Sequence, residues 1–561
     1  GDGNQAYQPD KFFRLNQTDK FTMNQTLKID FAKNINLKLS GNWYYSEGFY
    51  EAFNKDFREN PTKINTTRNS SGEFGRTIDQ TYNAIFNYDT QINDHYLSVM
   101  LGSEYYDTYS YGIYAAGSGA PTDDFRDLGL TSSEENKRSI DSYHTKQRIL
   151  SFFGRTNYNW QEKYLLSLVL RHDGYSRLVN NRWGTFPGIS AGWVFSKESF
   201  MREFDDIISF GKLRTSYGLN GNVSGIGAYE LQGSYVASTK YNGLATFVLG
   251  SVPNPDLRWE KTRTFEVGLD LSYLNNRYST NFTFYDRLTS DKFATLSLPC
   301  SSGISGIRTN NGEFRNRGVE IELSAIPIQN SNWYWNIGAN ISYNKNTVVS
   351  LPYNGLPLNR QGGFQVYSGK DETDLIWVGG YQEGKEPGVL YAFKAEGIYK
   401  DESEIPDDMI VKRHSFQGAT TRPSYGKNNW ANMSEQEKIN SGGFPIQPGD
   451  VKWKDVNGDN IIDDFDLVKV GNTTPHWFGG FNTTVTWKKL SLYCAFDYAF
   501  DFWVMDYRLP WILGNMQGTY NMTTDVRKTW TPENPKAKYP AYVWADQLGK
   551  GNYRNSTLFS Y

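Results

Sequence analysis

The sequence predicts an all-β protein, and three observations lead to this fold class. Short segments alternate between apolar and polar residues, which is the period of a strand with one apolar and one polar face. The 561 residues include 39 Tyr, 34 Phe, 16 Trp and 52 Gly, which are typical of strands and turns. Short turns and long loops also alternate along the chain, as they do in outer-membrane barrels. Together these observations predict an antiparallel transmembrane β-barrel.

The clearest hairpin lies near the middle of the chain, at residues 258–290. Over residues 265–273 every second residue is apolar, and the residues between them are polar or glycine. The chain turns at Asn275-Asn276, because Asn accepts the positive φ angles of tight hairpin turns. The alternation resumes over residues 278–285. One face of this hairpin is therefore predicted to meet lipid, and the other a wet lumen.

The same period predicts twelve further strands, which makes fourteen in all. They cover residues 23–31, 35–45, 82–88, 97–105, 150–160, 164–170, 185–196, 209–220, 319–325, 333–343, 477–487 and 490–498. Aromatic residues are concentrated where strands meet turns, as at Trp43, Trp160, Tyr164 and Trp333. Such residues anchor a barrel at the level of the lipid headgroups. Leu168, in the middle of its strand, is predicted to face lipid.

The connections are of two kinds. Long loops are predicted at residues 54–76, 107–142 and 349–473, and an irregular tail covers residues 507–561. Among the short connections, residues 197–208 have helical spacing of their apolar side chains, which predicts a short amphipathic turn. We assign residues 1–561 to a barrel portion, with 349–473 as a long extracellular loop region within it.

Composition and motifs exclude several other functions. No run of about 18 apolar residues occurs, so no transmembrane helix is predicted. The net charge of −3 gives no basic surface for nucleic acid. Cys300 and Cys494 make neither a disulfide framework nor a CxxC metal pair. We predict no catalytic residues, because the histidines are scattered and no HExxH motif, nucleophile elbow or phosphate loop is present. A secreted all-β protein of two or three sandwiches remains the soluble alternative.

The sharpest local motif is the acidic segment DVNGDNIIDDFD at residues 455–466. Read as a twelve-residue calcium loop, it supplies oxygen ligands from Asp455, Asn457, Asp459, the carbonyl of Ile461, Asp463 and Asp466. Asn460 replaces the usual Gly at the sixth position, and Asp replaces the usual Glu at the twelfth. Ile462 is predicted to anchor the loop by packing. The alternative is a solvated acidic loop held by Asx turns. We predict a structural calcium ion that makes the loop rigid.

Several stretches of the chain resemble one known family. They are GKLRTSYGLNGN at 211–222, NPDLRWEK at 254–261, FRNRGVEIE at 314–322, PGDVKWKD at 448–455 and ENPKAKYP at 533–540. On these motifs the chain resembles the SusC/RagA-type TonB-dependent outer-membrane transporters of Bacteroidetes. The resemblance implies a barrel of about 22 strands, a folded N-terminal plug and a TonB-box segment. Since fourteen strands are visible, we expect this chain to be an internal barrel fragment without the plug or the final strands.

The resemblance also implies a function and partners. The expected activity is TonB-dependent import of a nutrient oligomer, an oligosaccharide or an oligopeptide, across the outer membrane. The expected partners are a SusD-like surface lipoprotein and, through the N-terminal part, the TonB–ExbB–ExbD complex. A passive porin or surface adhesin is the first alternative, and a secreted glycan-active enzyme is the second.

Loop tryptophans are the one group of candidates for contact with cargo. Their indole rings could stack on sugars, or they could pack between loops or against a partner. These residues are Trp183, Trp377, Trp430, Trp503 and Trp511. The residues that bind substrate cannot be assigned from the sequence.

Overall fold

The computed structural model describes most of the chain. The described residues are 7–60, 62–134, 136–242, 244–369, 374–416, 419–510, 513, 523–542 and 551–560. Among them, no helix is both long enough and apolar enough to cross a membrane.

In the described part of the chain, fourteen strands form one antiparallel sheet, and their order in the sheet follows the chain. They are β1 (Phe12–Ala32), β2 (Ile35–Asn54), β3 (Asn69–Ile92), β4 (His95–Gly117), β5 (Arg138–Trp160), β6 (Tyr164–Tyr175), β7 (Trp183–Trp193), β8 (Ile208–Asn222), β9 (Glu260–Tyr273), β10 (Tyr278–Ser297), β11 (Gly306–Gln329), β12 (Trp333–Ser350), β13 (Trp477–Trp487) and β14 (Leu490–Phe500). Each contains or largely overlaps one predicted strand, so the prediction of fourteen strands is confirmed.

Several strands are longer than predicted. Strands β3, β4 and β5 extend into the segments predicted as loops at 54–76 and 107–142, where Ser70 pairs with Gly117 and Gly117 with Arg138. The loop prediction was wrong at these ends. Backbone pairing needs no apolar residues, so the polar start of β5 continues the ladder without the two-residue alternation that reveals a strand in sequence.

The two faces of the sheet differ in chemistry. On β6, Leu166, Leu168 and Leu170 are 37%, 45% and 53% exposed. Aromatic pairs lie at strand ends next to turns, such as Trp160 with Tyr164, whose ring centroids are 5.3 Å apart. The apolar face is therefore exposed and bordered by aromatic rings, as predicted.

The chain divides into two compact units. The first comprises Gly1–Glu313 with Leu323–Pro327, and the second comprises Phe314–Glu322 with Ile328–Tyr561. The first unit has a buried cluster around Trp259 and Leu257. The second has two clusters, one around Phe393 and Ile462 and one that includes Tyr553.

Residues 349–473 are not a simple loop, because they form many short elements. The strands are Phe364–Tyr367, Leu375–Val378, Val389–Phe393, Ala395–Ile398, Ile410–Val411, Ser415–Phe416, Ala419–Thr420, Ser424–Tyr425, Phe444–Pro445, Val451–Trp453, Ile461–Ile462 and Leu467–Asn472, and the α-helices are Lys427–Ala431 and Glu435–Ser441. The second helix begins at a capping box made by Ser434 and Glu437 and ends at Gly442 in the left-handed conformation. Local signals therefore explain part of this region.

The remaining elements are short. Strands outside the sheet pair as Phe57–Asn60 with Lys63–Asn65 and as Ser234–Tyr241 with Leu244–Ser251; the other helices are Gln8–Lys11, Leu128–Leu130, Phe195–Lys197, Ser199–Phe204, Glu230–Gln232, Cys300–Ser302, Pro357–Asn359, Glu402–Glu404, Arg508–Pro510 and Thr524–Lys528. The helical turn predicted within residues 197–208 is present as a 3₁₀ helix at Ser199–Phe204.

Candidate functional site

The acidic loop 455–466 is anchored by an apolar residue. Ile461–Ile462 forms a short strand that pairs in parallel with Ile410–Val411. The side chain of Ile462 is 1% exposed and packs in the cluster that contains Trp453. This position agrees with the anchoring role predicted for Ile462.

The first half of the loop is closed by its own side chains. Asp455 accepts hydrogen bonds from the backbone N–H groups of Gly458, at 2.8 Å, and Asn460, at 2.7 Å. Asn457 accepts a hydrogen bond from the N–H of Asp459 at 3.3 Å. Asn460 has a φ of 63°, the left-handed conformation that Gly usually supplies at the sixth position of a calcium loop. The substitution of Asn for Gly therefore leaves the turn intact.

The second half of the loop contains a buried carboxylate. Asp466 is fully buried and accepts hydrogen bonds from the N–H groups of Val456, at 2.9 Å, and Asp463, at 2.7 Å. Burial raises the pKa of Asp466 to about 6, and the carboxylates of Asp463 and Asp455 act in the same direction. A cation beside this group would favour its ionised form.

Three basic side chains lie near the same half of the loop. Lys412 Nζ is 3.1 Å from Asp463 Oδ2, and His414 Nδ1 is 2.6 Å from Asp464 Oδ1. Arg554 is 1% exposed, and burial lowers its pKa to about 10 although Asp464 attracts its charge. We did not predict these three residues, because they are distant from the loop in sequence and no motif marks them.

The structure brings the six predicted ligand positions into one loop. Among the described residues, however, no group of three or more His, Cys, Asp and Glu side chains is arranged to hold a metal ion. The oxygens of Asp455 and Asp459 instead accept hydrogen bonds from backbone N–H groups, including that of Ile461. The calcium ion stays a prediction.

Two of the candidate tryptophans are not found in a described loop. Trp183 is the first residue of β7, and its ring stacks on that of His172 with centroids 4.7 Å apart. Its assignment to a loop was wrong, because strand pairing begins earlier than the apolar alternation indicates. Trp511 lies outside the described residues.

The other three tryptophans are packed against protein groups. The Arg360 guanidinium carbon lies 3.3 Å from the centroid of the Trp377 ring. Trp430 stacks on Tyr425 with ring centroids 6.0 Å apart. Trp503 packs closely on Gly471. These contacts agree with the packing alternative.

The face of the sheet opposite the exposed leucines is charged. Arg171 on β6 donates hydrogen bonds to Asp173 at 2.8 Å and to Glu104 at 3.2 Å. A cavity of about 510 Å³ on the same face has Arg155 and Lys212 in its wall. A charged face on one side and an apolar face on the other suit a wall between water and lipid.

This two-faced antiparallel sheet, with its hairpin turns and long connections, defines the class of outer-membrane β-barrel proteins. The family described as "TonB dependent receptor-like, beta-barrel" matches residues 1–543, and the chain belongs to it. Family membership places the chain in the outer membrane.

Individual proteins and a solved structure are also similar to the chain. TonB-dependent receptor P39 of Formosa agariphila is 30% identical over 421 residues, which cover 74% of this chain and 38% of that protein. TonB-dependent receptor SusC of Bacteroides thetaiotaomicron is 30% identical over 348 residues, 60% of this chain and 33% of SusC. A solved structure of the RagAB peptide transporter has a TM-score of 0.72 at 21% identity, over 97% of this chain and 54% of the RagAB chain. The chain spans less than half the length of the curated relatives that it matches.

Proposed function

We propose that this chain is the barrel portion of an active importer that brings a nutrient oligomer across the outer membrane. Energy is supplied by the TonB–ExbB–ExbD complex acting through an N-terminal part of the protein. Its membership of the TonB-dependent receptor-like family is the observation that carries this proposal. The charged face of the sheet supports it, since a lumen through which polar cargo passes must be wet.

An uptake measurement tests the importer. Cells that carry the intact gene are expected to accumulate a labelled cargo, and deletion of TonB is expected to abolish this uptake. A passive porin would continue to admit the cargo without TonB, so persistent uptake would contradict the proposal. A secreted glycan-active enzyme would instead release products from the cargo and extract from cells without detergent.

The partner is proposed to be a SusD-like surface lipoprotein, and one exposed hairpin supports this. The strands Ser234–Tyr241 and Leu244–Ser251 make a two-stranded sheet, on which Tyr235, Tyr241 and Phe247 are 75%, 80% and 70% exposed. These three rings expose roughly 450 Å², against the roughly 800 Å² that each partner contributes to a standard interface. Lipid is a poor match, because it would leave the open sheet edges without hydrogen bonds.

Co-purification of the lipoprotein tests this surface. The variant Tyr235→Ser/Phe247→Ser is expected to lose most of the lipoprotein that the native protein retains in detergent. Tyr353→Ser is the matched control, because Tyr353 is 81% exposed but lies elsewhere in the chain. Undiminished recovery with the double variant would exclude the hairpin from the interface.

The cargo is proposed to be an oligosaccharide or an oligopeptide. RagAB, a structural neighbour, is a peptide transporter. Mass spectrometry of small molecules released from the native complex distinguishes the two classes. Sugar-spaced masses would indicate a glycan importer, and a ladder of peptide masses an oligopeptide importer.

We also propose that the acidic loop binds calcium as a structural ion. The left-handed Asn460 supports this, since it supplies the conformation that a calcium loop requires at its sixth residue. The variant Asp455→Ala/Asp459→Ala is expected to remove the bound calcium, measured by elemental analysis of the purified protein. Asp464→Asn is the control, because this neighbouring residue is outside the ligand set. Unchanged calcium content in the double variant, or none in the native protein, would refute the site.

A further inference from the structure

A cavity of about 580 Å³ lies within the second unit. Its wall is largely apolar, with Leu358, Ile376, Val378 and Val389 beside the indole of Trp377. Pockets that bind small ligands have volumes of about 300 to 1,000 Å³ and walls of this kind. The cavity therefore has the size and surface of a ligand site.

The wall of this cavity is held in place by hydrogen bonds. The N–H of Glu383 donates to the carbonyl of Leu358 at 3.0 Å, and the side chain of Asn359 donates to Glu383 at 2.9 Å. Gln361 and Tyr381 exchange two backbone hydrogen bonds, at 2.9 and 3.0 Å. A wall fixed in this way needs little ordering when a ligand binds.

One residue of the wall has an unusual backbone conformation. Leu358 has φ of 54° and ψ of 25°, in the left-handed region that side chains other than Asn and Asp rarely adopt. Its side chain is 47% exposed, so burial in a core does not account for the conformation. Strained residues of this kind are concentrated at ligand sites.

The charges at the cavity are unbalanced. Among the described residues, Lys385 and Lys469 in the wall have no carboxylate partner. Glu386, the carboxylate in the wall, lies 3.4 Å from Lys345 and 3.5 Å from His476. The two lysines are therefore available to an anionic ligand.

A neighbouring cavity adds cationic side chains to this part of the second unit. It has a volume of about 430 Å³, shares Gly384 with the first cavity, and has Arg315, Arg317 and Lys345 in its wall. Among the described residues, the two walls together contain five cationic side chains and one carboxylate; Lys345 is paired with that carboxylate, and Arg315 and Arg317 have interactions of their own. A concave surface lined by one sign of charge attracts ligands of the opposite sign.

The aromatic groups of the cavity suit a peptide better than a sugar. Arg360 covers one face of Trp377, at 3.3 Å from the ring centroid. The ring of Tyr391 packs edge-to-face against Phe364, with centroids 5.7 Å apart. Sugar recognition requires open ring faces and many hydrogen-bonding groups, whereas the polar side chains of this wall are two lysines, Gln382 and Glu386, and the rest of it is apolar side chains, Tyr391 and glycine.

We propose that this cavity is a subsite for a short peptide. An apolar side chain of the peptide packs against Leu358, Ile376 and Val378, and a carboxylate of the peptide lies between Lys385 and Lys469. The carboxylate belongs to the C-terminus or to an acidic side chain next to the apolar residue. This inference rests on the import function proposed above and names its cargo.

Calorimetric titration of the intact protein in detergent tests the subsite with three peptides. They are acetyl-Gly-Ala-Leu with a free carboxylate, the same peptide with a C-terminal amide, and the amide of acetyl-Glu-Ala-Leu. At least one carboxylate-bearing peptide is expected to bind about tenfold more tightly than the uncharged amide, since a charge-assisted hydrogen bond is lost with the carboxylate. Whichever carboxylate-bearing peptide binds more tightly shows whether the C-terminus or an acidic side chain supplies the carboxylate.

The variant Lys385→Gln/Lys469→Gln is expected to abolish this preference for a carboxylate. Lys427→Gln is the matched control, because Lys427 is an exposed lysine of the same unit that is not in the wall of either cavity. Trp377→Leu is expected to weaken the binding of all three peptides, since it alters the apolar wall.

Equal affinities for the three peptides would overturn the subsite, as would an unchanged preference in the double lysine variant. Lysine-dependent binding of trigalacturonate, an acidic sugar, would overturn the peptide assignment. TonB-dependent uptake is measured in parallel with the same variants. If uptake requires TonB but no peptide preference exists, the subsite fails and the importer stands; if uptake persists without TonB, the importer itself fails.

Discussion

Leu168 provides the clearest test of the sheet's two faces. It lies in the middle of β6 and is 45% exposed on the apolar face. An arginine at this position would place a charge in lipid, so Leu168→Arg is expected to reduce the free energy of unfolding by about 2 to 4 kcal/mol. The measurement is denaturant unfolding of the protein refolded into lipid vesicles.

A matched arginine on the opposite face is the control for this variant. Ser190 on β7 pairs with Ser167 and lies beside the cavity of about 510 Å³ on the polar face. Ser190→Arg is therefore expected to reduce the free energy of unfolding by less than about 1 kcal/mol, because the new charge remains in a wet environment. Similar losses for the two variants would contradict the assignment of the faces.

Arg554 is predicted to hold the acidic loop in place from the tail of the chain. Its guanidinium is buried against Phe393 and Trp453, at 4.6 and 5.4 Å from the ring centroids. Arg554→Ala removes a buried charge and leaves a cavity, so the local opening free energy around residues 455–466 is expected to fall by about 2 to 5 kcal/mol. Hydrogen exchange of these amides measures the effect.

Arg554→Met tests whether the volume or the charge of Arg554 matters. Methionine preserves much of the packing without burying a charge. The exchange rates of amides 455–466 in Arg554→Met are therefore expected to lie between those of the wild type and Arg554→Ala. Wild-type exchange in both variants would show that Arg554 does not support the loop.

Single residues differ in how well the sequence predicts them. The roles of Asn460 and Ile462 could be predicted, because each follows from its position in a local motif. The sequence contains no such signal for Arg554, since its environment is made by residues that are distant along the chain. The conformation of Leu358 could not be predicted either, because leucine favours negative φ and only its surroundings hold it otherwise.

At the level of elements, the sequence predicts the existence of strands better than their ends. Alternation of apolar and polar residues reveals the lipid-facing part of each strand, as in β9 and β10. Outside that part the alternation ends although pairing continues, as at the start of β5, where polar residues dominate from Arg138. Strand ends therefore depend on backbone pairing with neighbours, which has no signature in side chains.

The length of β5 leads to a labelling prediction. Strand β5 has 23 residues, whereas about 9 to 11 are sufficient to cross the membrane. Its first part should therefore project from the cell, and Ile140 there is 74% exposed. In a Cys300→Ser/Cys494→Ser background, Ile140→Cys is expected to react with a membrane-impermeant maleimide on intact cells.

Leu168→Cys is the control for the labelling experiment, and it is expected to remain unlabelled because lipid covers its position. Reaction of Ile140→Cys only after the cells are made permeable would show that the long connections face the periplasm. That outcome would reverse the orientation assigned to the chain.

For the whole molecule, strand number and order could be predicted, whereas the structure of residues 349–473 could not. Fourteen alternating segments in hairpins specify an ordered antiparallel sheet, because each turn brings consecutive strands together. Residues 349–473 instead bury Phe393 and Ile462 in a core built from two- to six-residue strands. Elements this short are below the length at which periodicity can be recognised. The cavity with Lys385 and Lys469 is lined by residues of such short elements and their connections, and it was therefore missed.

A change of electrophoretic mobility on heating is the last prediction, and it concerns the protein as a whole. The backbone hydrogen bonds of a membrane barrel are satisfied between its strands, so the folded state resists detergent that would unfold a sandwich of comparable size. The intact protein in detergent is expected to migrate faster before boiling than after it, because the folded barrel is more compact than the unfolded chain. Leu168→Arg is expected to lower the temperature of this transition, and Ser190→Arg to leave it nearly unchanged. Identical mobility with and without boiling, together with extraction by buffer alone, would instead indicate a soluble all-β protein.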